Sequence, residues 1–460
     1  METRGRRVVI LGSSLGGLLA ARALSDRFGR VTLVERDRFP AGFEQRKGVP
    51  QGRHTHGLLS SGYRVIEEFF PGIGGELVEC GALLGDAMWD SRYVIGGQLL
   101  RKASSQLCSI GVNRPLLEGQ VRRRSLALPN VEAVEDCDVL GLDGDAGRIR
   151  GVRILRRADK SAEEHLDADL VVDATGRGSR MPAWLTSLGL EAPEEERVRV
   201  GVSYTTGIFP RREDQVGGDR VLIVGAAPPN RHCGVAVAFE RDRWIVTLAS
   251  YLGEHVPSDP AGFAASARRL PSPIIHELVR DQNPLEPLVT AKFPHSQRRR
   301  YERLARFPEG LLVFGDALCS FNPIYGQGMS VAALEAKLLR GLVQTGGSVW
   351  QRFFSGAASI IDNPWAITVG NDLRFEEVEG ARTRAWQWTN AYMRRLLNAA
   401  TVDATVATAF ISVTHLVAPP ASLFAPGIVA RVLRAGSSRA ATAPLVAPGA
   451  VGYVRELDAE

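Results

Sequence analysis

Gly12, Ser14 and Gly17 occupy the three glycine positions of a G-x-G-x-x-G run in the stretch RRVVILGSSLGGLLAARAL. An aliphatic run ends at Gly12, and an alanine- and leucine-rich helical pattern starts a few residues later. A buried strand, a glycine turn and a helix start in that order form an anion-binding corner. The first N–H groups of a helix lack internal partners and lie at the positive end of its dipole. The anion that suits such a corner is the pyrophosphate of a dinucleotide. The middle glycine lets the backbone approach that group; serine is the next smallest residue and adds a hydroxyl donor. Glu35 follows about 20 residues on, at the end of a second β-branched run, where an acid accepts from a ribose hydroxyl. Read alone, residues 12–17 also fit a glycine turn with no ligand; Glu35 decides for dinucleotide binding.

Other residue types that carry chemistry are sparse. Arg36 adjoins Glu35, and Arg46 and Lys47 lie in the polar loop EQRKGVPQGRHTHG. All three are candidate contacts to the cofactor; Arg46 and Lys47 would reach its phosphates or gate the pocket, with a solvated loop as the alternative. His54 and His56 lack a third ligand or nearby acid, which reads as hydrogen bonding rather than metal binding. The five cysteines are odd in number and contain no CxxC pair, which argues against a disulfide framework or a zinc site and fits a reducing cytosol. The expectation is a cytoplasmic protein, with no signal peptide at its N-terminus and no segment of about 20 apolar residues to span a membrane.

The elements that must hold these residues follow from periodicity. Buried strands are predicted at 8–11, 31–34, 165–173 and 310–314. The third leads into Asp173-Ala174-Thr175-Gly176-Arg177-Gly178, and the fourth into Gly315-Asp316, followed by NPIYGQGMS and a helix over 331–342. Helices are predicted at 58–70 and 109–124, the latter carrying Arg114 before Pro115. Short strands at 138–142 and 148–155 flank a glycine turn, and a hairpin is expected at 92–100. Residues 198–251 read as strands in series, which implies an antiparallel sheet and a second domain. Residues 260–281 read as helix broken by two prolines, and the chain is helical from 352 on. The boundaries expected are a discontinuous cofactor domain at 1–70, 107–195 and 290–345, and a substrate domain at 71–106 and 196–289. C-terminal helices at 346–435 and a poorly ordered tail at 436–460 complete the chain.

Composition sets outer bounds. A chain of 460 residues exceeds what one core usually serves. It is 45% hydrophobic and 23% charged, as a soluble globular protein is. A net charge of +5 is small at this length, and the arginine clusters at 122–124 and 298–300 lack interleaved aromatics, so nucleic acid is not an expected partner.

Three glycine-rich corners, each after a buried strand, suit one long ligand laid across one sheet. The leading fingerprint with Glu35, the middle DLVVDATGRGS and the late GDALCSFNPIYGQGMSVAALEA together resemble the flavin monooxygenases of the para-hydroxybenzoate hydroxylase fold. The resemblance spans residues 7 to 345. RKGVPQGRHTHGLL and FPEGLLVFGDALCSFNPIYGQGMS are similar to the flavin epoxidases of polyether antibiotic pathways, of the lasalocid and monensin type. The implied fold is α/β, a Rossmann-like FAD-binding domain with an antiparallel-sheet substrate domain and a C-terminal helical segment.

The resemblance also implies roles. Gly12, Ser14 and Gly17 would hold the FAD pyrophosphate and Glu35 the adenosine ribose. Arg114 would pair with a phosphate oxygen, and Val139 would offer backbone to adenine. Asp173 and Gly176 would pack the middle corner, and Asp316 would accept from a ribityl hydroxyl. Gly326, Gly328 and Met329 would border the flavin ring, the last two aiming N–H groups at it. The implied reaction inserts one oxygen atom from O2 through a flavin C4a-hydroperoxide, most plainly into an alkene of a hydrophobic polyketide or terpenoid. No acid or base stands out as catalytic; Tyr325 reads first as a packing residue, with a part in shaping the pocket as the alternative. The rival readings are a phenol hydroxylase, a prenyl reductase and a flavin-binding protein without catalysis. Halogenation is disfavoured because Trp386-Gln387-Trp388 is not followed by Ile-Pro. NADPH or NADH is the expected electron source, with a separate flavin reductase as the hypothesis for its delivery. The partners expected are thus a hydrophobic small molecule, O2 and that reductase. The valine-rich stripe at 402–417 reads as core-facing, with contact to a membrane surface as the alternative.

Overall fold

The computed structural model describes residues 5–158, 162–212, 215–240, 242–344 and 348–436. The tail beyond 436, expected to be poorly ordered, lies outside them. Five strands form a parallel sheet in the order Leu311–Val313, Leu170–Asp173, Arg7–Leu11, Arg30–Val34, Val131–Val134. The central strand Arg7–Leu11 is buried at every position after the first. That explains its unbroken aliphatic run, since helices cover both faces of a parallel sheet. From this strand the chain runs outward first to one side and later to the other. The switch in direction opens a crevice at the carboxyl ends of the strands, where ligands of α/β sheets bind. The three corners follow Leu11, Asp173 and Val313, the ends of three adjacent strands. They therefore stand side by side along one edge.

A second sheet has eight strands. Its order is Cys319–Ser320, Val289–Arg299, Glu195–Pro210, Arg243–Ser250, His232–Phe239, Val221–Val224, Ser91–Ile95, Gln98–Leu99. Its pairs are antiparallel except Val221–Val224 with Ser91–Ile95. Alternation gives it two faces. Ala236, Ala238, Trp244 and Val246 pack with the helices Pro260–Arg268 and Ile274–Val279. Val235, Val237, Thr247 and Ala249 instead face a large cavity. The helices Val349–Asp372, Arg384–Ala400, Ala404–Thr414 and Pro426–Gly436 follow, and Val406, Ile411 and Val432 pack on Tyr93 and Leu100.

Several expectations need correction. The predicted helix at 109–124 begins later. Cys108–Gly111 is a strand paired with Leu83–Asp86, and the helix is Arg114–Leu126, capped by Asn113 accepting from the Leu116 N–H. Pro115 in the first turn set the true start. The run at 165–173 is two strands, Glu163–Asp167 and Leu170–Asp173, which lie in different sheets. Residues 76–106 alternate in the sequence as strands do, yet their first part belongs to the helix Ile73–Glu79. Val289–Arg299 crosses the boundary drawn at 289/290 and pairs along Glu195–Pro210 in the eight-stranded sheet. Its alternating burial suits a sheet edge of the second domain more than a buried parallel strand.

Candidate functional site

The first corner is built by close backbone packing. Gly12 has φ +90°, and a Cβ there would lie 2.7 Å from the Ala174 carbonyl oxygen. A Cβ on Gly17 would lie 1.9 Å from the carbonyl oxygen of Gly12. No side chain fits in either place. Ser14 takes extended backbone as the N-cap of the helix Leu15–Ser25, yet its hydroxyl makes no cap bond. It donates to Glu118 Oε2 at 2.9 Å and accepts from Arg114 Nη2 at 2.9 Å.

Behind this hydroxyl lies a buried charge network. Arg46 Nη2 is 2.7 Å from Glu35 Oε2, and Nη1 donates to Glu118 Oε1 at 2.8 Å and to the Ser13 carbonyl at 3.0 Å. Glu35 also accepts from the Ser13 N–H and hydroxyl and from the N–H groups of Arg36 and Asp37. Burial alone would raise the pKa of Glu35; Arg46 and Ser13 outweigh it and hold the carboxyl below the usual range. Glu118 is in the same position: burial opposes its charge, and Arg114 and Arg46 restore it. Glu118 escaped sequence reasoning, although its spacing four residues after Arg114 on a helix was a legible signal.

In the middle corner Asp173 organises the turn. It is fully buried and accepts from the Thr175 N–H and hydroxyl and from the Ser179 hydroxyl. Gly176 faces the cavity, and beside it Arg177 lies over the Phe293 ring and donates to the His295 carbonyl at 2.7 Å. In the third corner Gly315 N–H donates to Glu335 at 2.8 Å. Glu335 is wholly buried, and burial pushes its pKa up to about 8. Asp316 is walled in by protein but its side chain is accessible from the cavity, and this desolvation raises its pKa. Gly328 and Met329 open the helix Gly328–Leu342 onto the same cavity.

One cavity of about 1390 Å³ joins these parts. Ser14, Arg114, Gly176, Asp316, Gly326, Gly328 and Met329 line it; Gly12, Gly17, Glu35, Arg46, Val139 and Asp173 stand behind its wall. Val139 lies two residues beyond Cys137, whose N–H donates to the Glu35 carbonyl, so it sits at the Glu35 end. Arg36 and Lys47 are exposed and are not among the residues that line the cavity, although Gly48 beside Lys47 is. His54 Nδ1 bonds Thr206 Oγ1 at 2.8 Å and His56 Nδ1 bonds the His54 carbonyl at 2.9 Å. Burial lowers their pKa values to about 4 and about 3, so both rings are neutral at pH 7.

Sequence reasoning also missed a polar cluster at the apolar end. Asp372 Oδ1 accepts from Tyr325 Oη at 2.8 Å, Tyr251 Oη at 3.1 Å and Asn322 Nδ2 at 3.1 Å. Its Oδ2 has no hydrogen-bond partner among the described residues. Burial raises its pKa to about 7. A lone acid near the end of a mostly apolar helix was the only signal.

The arrangement suits FAD. Donor groups stand at one end (the helix start at Leu15, Ser14 and Arg114), the Asp316 carboxylate lies in the middle, and the N-terminus of the helix Gly328–Leu342 closes the far end. Arg177, whose buried Nη2 has no hydrogen-bond partner among the described residues, lines the same space. Corners and cavity together define the class, the fold of the flavoprotein monooxygenases. The structure is similar to a flavoprotein/dehydrogenase from Cytophaga hutchinsonii, with a TM-score of 0.64 and 15% identity over 89% of this chain and 92% of that one. It is also similar to p-nitrophenol 4-monooxygenase PnpA from Pseudomonas putida, with a TM-score of 0.62 and 17% identity over 91% of this chain and 99% of that one. In sequence the chain belongs to the family of Protein Rv3254 of Mycobacterium tuberculosis, to which it is 32% identical over 421 residues, 88% of each chain. No family model matches the chain.

Proposed function

We propose that this protein is an FAD-dependent monooxygenase that places one oxygen atom of O2 on a hydrophobic small molecule, epoxidising an alkene. The observation that carries the reading is the single cavity, which runs from the three corners to an apolar chamber roofed by the eight-stranded sheet. Gly12 and Gly17 keep the first corner open for the pyrophosphate, and Arg114 and the Ser14 hydroxyl bind it. Glu35 holds the adenosine ribose, once its pairing with Arg46 yields an oxygen. Asp316 accepts from the ribityl chain. The N–H groups of Gly328 and Met329 orient the ring and favour negative charge on it. When bound, FAD supplies the activation of O2 and the oxygen transfer. Val235, Val237 and Phe293 exclude water and hold the alkene against the ring. Electrons come from NAD(P)H through a separate flavin reductase.

A second reading has an observation of its own. Tyr325, held by Asp372, keeps a hydroxyl proton at the chamber, which suits hydroxylation of a phenol. The purified chain is expected to hold FAD and, with a flavin reductase and NADH, to take up O2 faster when a polyene is added. Substrate-independent O2 uptake, or a chain that binds no FAD, overturns the proposal.

A further inference from the structure

The C-terminal helices carry an uneven surface. Residues 381–436 contain six arginines and one acid, Asp403, a surplus equal to the net charge of the whole chain. Of the eight large apolar residues exposed among the described residues, five lie between 388 and 433: Trp388, Val402, Val417, Phe424 and Leu433. On the helix Arg384–Ala400, the spacing of Arg384, Trp388, Tyr392 and Arg395 puts them on one face. Trp388 is 77% exposed. The Tyr392 ring stacks on Phe424 with centroids 4.7 Å apart, and its hydroxyl donates to the Leu423 carbonyl at 2.6 Å. Leu423 and Phe424 line the large cavity, and Phe424 is at the same time 48% exposed. The apolar stripe thus runs from solvent to the mouth of the substrate chamber, with arginines at both ends.

We infer that this face docks on an anionic lipid surface. Trp and Tyr rings prefer the level of the headgroups, and arginines beside them pair with anionic lipid. No helix among the described residues is long and apolar enough to cross a bilayer, so the contact is one of lying on the surface. An apolar substrate would then pass from the lipid past Phe424 into the chamber. The docking itself does not rest on which oxidation the enzyme performs, and its test involves no turnover.

The test is co-sedimentation of the full-length, FAD-loaded chain with vesicles of phosphatidylcholine alone or mixed with phosphatidylglycerol. Recovery with the mixed vesicles is expected to be greater and to fall with added salt. The Arg384→Glu/Arg395→Glu variant should bind them at least about tenfold more weakly, and Trp388→Ser should also weaken binding. The control Arg268→Glu/Arg306→Glu carries the same charge change elsewhere and should bind as the unaltered chain does. Circular dichroism establishes that each variant is folded. Equal recovery of both double variants, or no preference for anionic vesicles, overturns the inference. So does a vesicle-free dimer that Trp388→Ser dissociates, because a second copy would then cover the face.

Discussion

Arg46 Nη2 lies 2.7 Å from Glu35 Oε2, and both side chains are buried. Two residues expected to serve a ligand separately, one on phosphate and one on ribose, serve each other. Glu118 on the opposite side of the guanidinium makes the arrangement a triad. Removing the cation alone leaves Glu35 buried with no cationic partner, while Glu118 keeps Arg114, and breaking a buried pair in this way costs about 3–5 kcal/mol. Arg46→Met is expected to melt well below the unaltered chain, and Arg46→Met/Glu35→Gln to recover part of the loss. Thermal unfolding of the four members of the cycle checks this; equal melting of the single and double variants contradicts the coupling.

The first corner makes an asymmetric prediction for adjacent glycines. A Cβ on Gly17 meets the Gly12 carbonyl at 1.9 Å, whereas a Cβ on Gly16 meets the Phe314 ring at 3.6 Å and the Ala332 Cβ at 3.9 Å, both ordinary contacts. Gly17→Ala must push backbone apart and should cost about 3 kcal/mol or more. Gly16→Ala should stay within about 1 kcal/mol of the original stability. Melting temperature and flavin retained through gel filtration separate the two; similar behaviour of both variants would count against the packing described.

Glu335 gives a pH dependence. Folding raises its pKa from 4.5 to about 8, because burial strips water from the carboxylate. Below pH 4.5 both the folded and unfolded chains hold the proton. Between there and pH 8 the unfolded chain has released it and the folded chain has not, so stability falls as pH rises and levels off above 8. The full effect is on the order of 5 kcal/mol. Glu335→Gln can still accept from Gly315 and should be more stable at pH 8, with a flatter profile. Denaturant titrations at pH 5 and pH 8 read the difference; an unchanged slope with pH in the variant would refute the assignment.

Asp372 bears on the choice of substrate. With a pKa raised to about 7 and two tyrosines donating to it, it can hold or release a proton across neutral pH. If the substrate is a phenol, Asp372→Asn and Tyr325→Phe should remove a step near pH 7 from the rate profile while leaving bound flavin unchanged. If it is an alkene, which has no proton to lose, the profile should keep its shape in both variants.

Much of this was legible in the sequence, and what was not has physical reasons. The corners were legible because each pairs a buried aliphatic run with glycines that tolerate close backbone approach, as at Gly12 and Gly17. Asp316 was legible because it ends such a run. The second sheet was legible up to Val289–Arg299, whose polar, arginine-bearing end looks like a solvated stretch until Glu195–Pro210 is placed beside it. Long-range charge pairing was hidden: Arg46 and Glu118 are 72 residues apart and nothing local links them. Asp372 was hidden for the same reason, since its partners Tyr251, just after the strand Arg243–Ser250, and Tyr325, in the 3-10 turn Pro323–Tyr325, are distant in the chain. Arg36 and Lys47 read as cofactor contacts on charge and position alone, and the fold places both side chains on the surface.

The central claim, oxygen transfer to a hydrophobic substrate at the cavity beside Asp316 and Gly328, is tested most directly by isotope. The FAD-loaded chain, with a flavin reductase and NADH, is incubated under 18-O2 with a panel of polyenes and phenols, and the products are read by mass spectrometry. The account predicts a product carrying one 18-O atom per oxidation event, lost when Asp316→Ala abolishes flavin binding. A product that has gained two hydrogens and no label, as an alkene reductase would give, contradicts it.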